Sequence, residues 1–134
     1  MKKLLITLTV SCFATLMFAQ NAAPQAPTKA SISDYFQFDN DQQVQLNSIL
    51  DKKAQAQNEA KSLKDSDPQT YLNKLNIASE MYYMELRNMM TDEQKKMFPD
   101  WVKENGKRKS VLEKQLRSEG VSDLEIRIQV AEKY

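Results

Sequence analysis

The sequence predicts an all-α fold of long antiparallel helices, four to five in number, arranged as a thin helical hairpin or cradle. Three observations lead there. Patterns that start helices recur along the chain. Apolar residues fall at alternating spacings of three and four, which marks one face of a helix. Only Gly106 and Gly120 supply glycine, too few for a meander of tight turns. The apolar content after residue 20 is low for an ordinary globular domain. Long helices with so thin a core leave two arrangements, a homodimer or an open, poorly covered sheet of helices.

The chain divides into three parts. Residues 1–20 read as a cleavable signal peptide: Lys2 and Lys3 form its charged start, Leu4 to Ala19 its apolar stretch, and Ala19 the small residue before the cut. The stretch is too short and too broken by Thr and Ser for a membrane span. Cys12 lies inside it, followed by further apolar residues and preceded by a poor lipobox. Cleavage removes the only cysteine. Residues 21–34, small, polar and Pro-containing, read as a disordered lead-in. Residues 35–134 form a single helical domain.

Composition excludes several functions. The chain carries 19 basic and 18 acidic residues. Without Lys2 and Lys3 the balance is 17 against 18, which gives bulk binding of nucleic acid no support. There is no histidine to act as a base and, after cleavage, no thiol. No serine sits in a nucleophile-elbow setting. A carboxylate di-metal bundle needs Glu-x-x-His pairs, which are absent. The expectation is no enzyme, no cofactor and no stable membrane insertion.

The helices follow in order. Phe38-Asp39-Asn40-Asp41-Gln42 opens the first. Asp39 caps it, Gln42 reaches back to the cap N–H, and Phe38 packs on the first turn. Leu46, Ile49, Ala56, Ala60 and Leu63 make one stripe, with Lys53 in the missing position, so the helix runs from Asn40 to about Leu63. Asp67-Pro68 starts the second helix, which runs to about Met90. Leu75, Ala78, Tyr82, Leu86 and Met89 form its main stripe. Ile77, Met81 and Met84 form another to one side.

Met90-Thr91-Asp92-Glu93-Gln94 repeats the first start pattern. The third helix begins at Thr91, with Pro99 predicting a kink or restart near Asp100. Asn105-Gly106 predicts its end; one long helix through Gly106 is the alternative, at about 1 kcal/mol relative to Ala. A shorter helix then carries Val111, Leu112 and Leu116 to Gly120. In the last segment Leu124, Ile126, Ile128 and Val130 alternate as in a strand, while Ser122 and Glu125 form a capping box. Helix is favoured, because no partner strand exists.

The two start patterns resemble the LTxxQ motif of the Spy/CpxP family of small periplasmic proteins. Met90, Thr91 and Gln94 match the second motif well. The first departs from it, with Phe38 for Leu and Asp39 for Thr. The resemblance covers roughly residues 35–119. It implies a periplasmic ATP-independent chaperone that dimerises into a curved cradle and holds unfolded or partly folded envelope proteins. The side stripe Ile77, Met81 and Met84 is then the candidate client-binding surface or the dimer seam. Phe38, Asp39, Gln42, Met90, Thr91 and Gln94 are expected to be structural caps.

Two other roles compete. Met81, Met84, Met89 and Met90 supply soft thioethers suited to Cu(I), although flexible core packing is the favoured explanation, because Met at helical spacing is common in cores. The chain also suits an adaptor or regulator of one envelope partner. Lys103, Lys107, Arg108 and Lys109 form a small basic patch, read as a solvated face. Phe98 and Trp101 are expected in the core.

Overall fold

A computed structural model describes residues 24–134, so the expected signal peptide lies outside the described residues. Five α-helices follow one another with no strand among the described residues: α1 (Lys29–Phe36), α2 (Asn40–Ala60), α3 (Pro68–Asn88), α4 (Asp92–Ser118) and α5 (Asp123–Lys133). A short 3-10 turn, Lys61–Leu63, extends α2 to the expected limit. The fold is all-α. No helix of the described residues is long and apolar enough to cross a membrane.

The predicted starts are where the caps are. Asp39 Oδ1 accepts from the Gln42 N–H at 2.8 Å, and Thr91 Oγ1 accepts from the Gln94 N–H at 3.3 Å. Asp67 caps α3 with Pro68 in its first turn, and Ser122 caps α5. Helices α2 and α3 form the central antiparallel hairpin, fastened by Leu46 and Ile49 against Tyr82 and Leu86.

α1 places residues 29–34, the later part of the stretch expected to be a disordered lead-in, in a helix. Thr28 caps the helix by accepting from the Ser31 N–H at 3.2 Å. Ile32 and Phe36 lie one turn apart and are each 1% exposed. Burying both side chains provides the free energy that ordering this polar stretch consumes. Gln37 then takes the left-handed conformation, φ 54°, and turns the chain into α2.

α4 is one helix of 27 residues, through both Pro99 and Gly106. The helix does not restart at Asp100 or end at Gly106; of the two readings at Gly106, the one long helix is what forms. Gln94, Phe98, Trp101, Asn105, Lys109, Leu112 and Leu116 trace one inward seam, with every member buried or half-buried. Trp101 and Asn105, which lie between Pro99 and Gly106 along the helix, are 6% and 3% exposed. Packing along that seam outweighs the local cost of both residues.

Three apolar clusters hold the helices together. The first gathers Ile32, Phe36 and Phe38 with Leu46, Ile49, Tyr82, Leu86, Met90 and Trp101. Its centre is aromatic: Phe36 stacks on Phe38 at 5.4 Å and meets Trp101 at 5.5 Å. A second joins Ala60, Tyr71, Leu72 and Leu75 to Ile128. A third joins Leu112 and Leu116 to Ile126, Val130 and Tyr134. The alternation in α5 thus resolves into two helical stripes, Leu124 and Ile128 toward α3, Ile126 and Val130 toward α4.

Candidate functional site

The two start motifs meet in space. Gln42 Nε2 donates to Gln94 Oε1 at 2.7 Å, and Gln94 Nε2 donates to Gln42 Oε1 at 3.1 Å. Each Oε1 also closes its own capping box, accepting from the Asp39 N–H at 3.2 Å or the Thr91 N–H at 2.9 Å. The second N–H of each amide crosses to the opposite half, Gln42 to the Met89 carbonyl and Gln94 to the Phe36 carbonyl, both at 3.1 Å. Every donor and acceptor of both amides is used. Phe38 and Met90, the apolar residues before the caps, are buried beside this junction. The six motif residues form a structural joint between the α1–α2 turn and the α3–α4 turn. The capping role was legible in the sequence; the cross-link was not, because its partners are 52 residues apart.

The side stripe lies outside the clusters. Ile77, Met81 and Met84 are 55%, 50% and 55% exposed. Their position follows from helix geometry: Leu75, Ala78, Tyr82 and Leu86 take the inward face of α3, which turns residues 77, 81 and 84 outward. Beside the stripe, small side chains leave a trough of about 190 Å³ between α2 and α3, lined by Ala56, Ala60, Ala78, Ile77 and Met81 together with the charged Glu59 and Lys74. The Lys52–Glu85 ion pair, 2.8 Å, crosses from α2 to α3 next to it. The four methionines do not stay together. Met90 is 4% exposed in the first cluster with Met89 packed against it, leaving Met81 and Met84 on the surface.

The basic patch also divides. Lys103, Lys107 and Arg108 face solvent, with Lys107 paired to Glu104 at 2.6 Å. Lys109 turns inward over the rings of Tyr83 and Tyr134, at 5.6 and 5.8 Å, and burial lowers its pKa. Lys53, in the apolar stripe of α2, lies over the Tyr82 ring at 4.9 Å and donates to the Tyr134 backbone oxygen. Burial, and then the charge of Lys109, lower its pKa from 10.5 to about 8. Burial likewise raises Tyr82 and Tyr83. A cleft of about 370 Å³ opens between α3, α4 and α5, lined by Asn76, Glu80, Lys109, Glu113 and Arg127 over Leu72. Its opposite charges are interspersed, so it has no single-sign field to draw a charged ligand. Among the described residues no three His, Cys, Asp or Glu side chains group as metal ligands.

The chain matches no protein-family model, no curated protein and no solved structure. The functional reading therefore rests on the motifs and on the surface of α3.

Proposed function

We propose that the chain is a periplasmic, ATP-independent chaperone-like protein that binds unfolded or partly folded envelope proteins. One observation carries the proposal: three large apolar side chains, two of them methionine, stand exposed in a row on α3 beside an alanine-lined trough. Unbranched methionines adapt to varied apolar partners at little cost, which suits a surface that must accept unrelated sequences. The neighbouring ion pair and lysines permit loose, salt-sensitive encounters. The two LTxxQ-like starts and the apolar stretch at residues 4–19 support the periplasmic part of the reading. The same stripe serves equally as the seam of a homodimer, in which case client binding and dimerisation compete.

The test is light scattering of two unrelated proteins as they unfold, with residues 21–134 and no ATP. Suppression of both near equimolar ratio is the expected result. Replacing Ile77, Met81 and Met84 by Ser together is expected to abolish most of it. Exposed substitutions away from special features change stability by about 0.5 kcal/mol or less each, so the variant stays folded. Suppression that survives the triple substitution removes the stripe from the mechanism, and no suppression by the parent sinks the reading. A Cu(I) role has one observation in its favour, the exposure of Met81 and Met84 one turn apart on α3. Titration of Met81→Leu/Met84→Leu with Cu(I) decides it, since leucine keeps the apolar surface and removes the thioethers.

A further inference from the structure

Packing sorts the methionines of the described residues by exposure. Met90 is buried inside the aromatic cluster, and Met89 packs against that cluster. Met81 and Met84, one turn apart on α3, are half exposed, and neither joins any of the three apolar clusters. Met97, on α4, is 37% exposed. Oxidants attack a thioether to the extent that they reach its sulfur. The fold thus leaves open the two sulfurs of the side stripe and shields the two that help to build the core.

The surroundings of Met81 suit an oxidised side chain. Met81 lines the trough with Lys74, and it also lines a smaller cavity of about 40 Å³ with Lys52 and Lys53. A thioether sulfur is a weak acceptor that makes little use of ammonium donors. Oxidation turns the flexible apolar side chain into a polar one whose oxygen accepts hydrogen bonds, and lysine donors then stand around it. Because Met81 and Met84 lie outside the clusters, two added oxygens break no core contact. The loss falls on the stripe itself, where only Ile77 keeps its apolar character.

We propose that Met81 and Met84 form a reversible oxidation switch: a two-electron oxygen donor such as hydrogen peroxide converts both to sulfoxides, which turns the stripe polar and releases clients while the fold stays intact. In the step a sulfur lone pair takes the terminal oxygen of the peroxide, and the O–O bond breaks. The proton on that oxygen passes to the departing hydroxide, which leaves as water. Sulfur gives up two electrons and the peroxide takes them. Methionine sulfoxide is reducible, with one reductase for each epimer, so the change can be undone. The release of clients rests on the chaperone reading, whereas the order of oxidation rests on exposure alone.

The test uses residues 21–134 as the parent, with Met81→Leu/Met84→Leu and Met97→Leu as variants. Each is treated with hydrogen peroxide, and the sulfoxides are located by peptide mass mapping. Binding of an apolar fluorescent dye, the thermal midpoint and suppression of client scattering are then measured. Met81 and Met84 are expected to oxidise at least about tenfold faster than Met90. Once both are sulfoxides, dye affinity is expected to fall about tenfold and suppression to disappear. The thermal midpoint is expected to move by less than about 4 °C. Reduction with both reductases should restore dye binding and suppression. Met97→Leu should follow the parent. Met81→Leu/Met84→Leu should bind dye and clients alike before and after treatment, because leucine keeps the apolar surface and has no sulfur to oxidise.

Oxidation of Met90 at the rate of Met81 overturns the proposal, because the core then opens together with the stripe. A collapse of the thermal midpoint on oxidation of the pair overturns it as well. So does dye binding that is unchanged in the oxidised parent or equally lost in the leucine variant. Dye loss from a parent that never suppressed scattering keeps the switch and sinks the chaperone reading. Suppression that survives both sulfoxides does the reverse.

Discussion

Gln42 and Gln94 each perform three tasks with one amide: closing a capping box, bonding the other glutamine, and holding a backbone carbonyl of the opposite half. A cap alone is worth about 0.5–2 kcal/mol, and Thr91→Ala is expected to cost that much in urea unfolding. Gln42→Ala is expected to cost more, roughly 1–3 kcal/mol, because it leaves buried partners unmatched. Truncating both glutamines should cost less than the sum of the two single changes, with a coupling of about 0.5–3 kcal/mol. Additive costs would show that the two caps act separately. Lys53 gives a second expectation at this scale. Its pKa is about 8 in the fold against 10.5 for the free side chain. Between those values the unfolded chain holds more protons, so stability rises with pH across the window and the gain is lost again as pH falls through 8. Tyr82 and Tyr83, held protonated by burial, act in the opposite direction above about 10. The rise is therefore to be read between pH 8 and 9.5 in urea melts. Lys53→Met should remove most of it, leaving the part that buried Lys109 contributes in the same direction, and stabilise the protein at pH 7 by roughly 1–3 kcal/mol. A Lys53→Met variant that keeps the slope would assign it to another group.

Among the elements, α4 is where local preference and packing conflict most. Asn105-Gly106 reads as a stop and Pro99 as a break, yet the helix runs through both. The seam that carries it was hard to see because three members, Gln94, Asn105 and Lys109, are polar. α2 has the same construction, with Gln42 and Lys53 at seam positions, and there the sequence already showed Lys53 filling a gap in the stripe. Gly106 meets no atom within 4 Å of an added Cβ. Gly106→Ala is thus expected to raise stability by about 0.5–1 kcal/mol, from the lower backbone entropy cost of alanine in a helix. Gly120→Ala is expected to act in the opposite direction, since φ is 78° there. Thermal melts of the two variants should move apart; a shared direction would show that the gain at Gly106 is not a helix effect. α5 teaches a complementary lesson. Its strict alternation suits a strand, but a helix buried on two flanks yields the same pattern from two interleaved stripes.

The whole molecule is held by three small clusters rather than one large core, in keeping with the thin apolar content. The largest of them depends on α1, the helix that composition concealed. Phe36 is 1% exposed and contacts the rings of Phe38, Phe98 and Trp101. Phe36→Ala is expected to cost about 3–5 kcal/mol, a large share of the 5–15 kcal/mol that holds a typical domain. Loss of cooperative unfolding or a large fall in the urea midpoint would bear that out. A cost below about 1 kcal/mol would return α1 to the status of a lead-in. The side stripe on α3 was legible as a second row beside the main one, but the sequence left open whether it was core, dimer seam or exposed surface; the packing of α3 turns it outward.

What the sequence determined by itself are the starts of α2 to α5, the all-α class and the existence of a side stripe at Ile77, Met81 and Met84. Caps, Pro68 and apolar spacings act between residues three or four apart, so they can be read along the chain. Tertiary structure alone decided the Gln42–Gln94 joint, the recruitment of α1, the continuity of α4 and the burial of Lys53 against Tyr134. Those contacts span 52 residues for the glutamines and 81 for Lys53. A polar side chain bears no local mark of whether a distant partner will satisfy it, and only the packed fold supplies that partner.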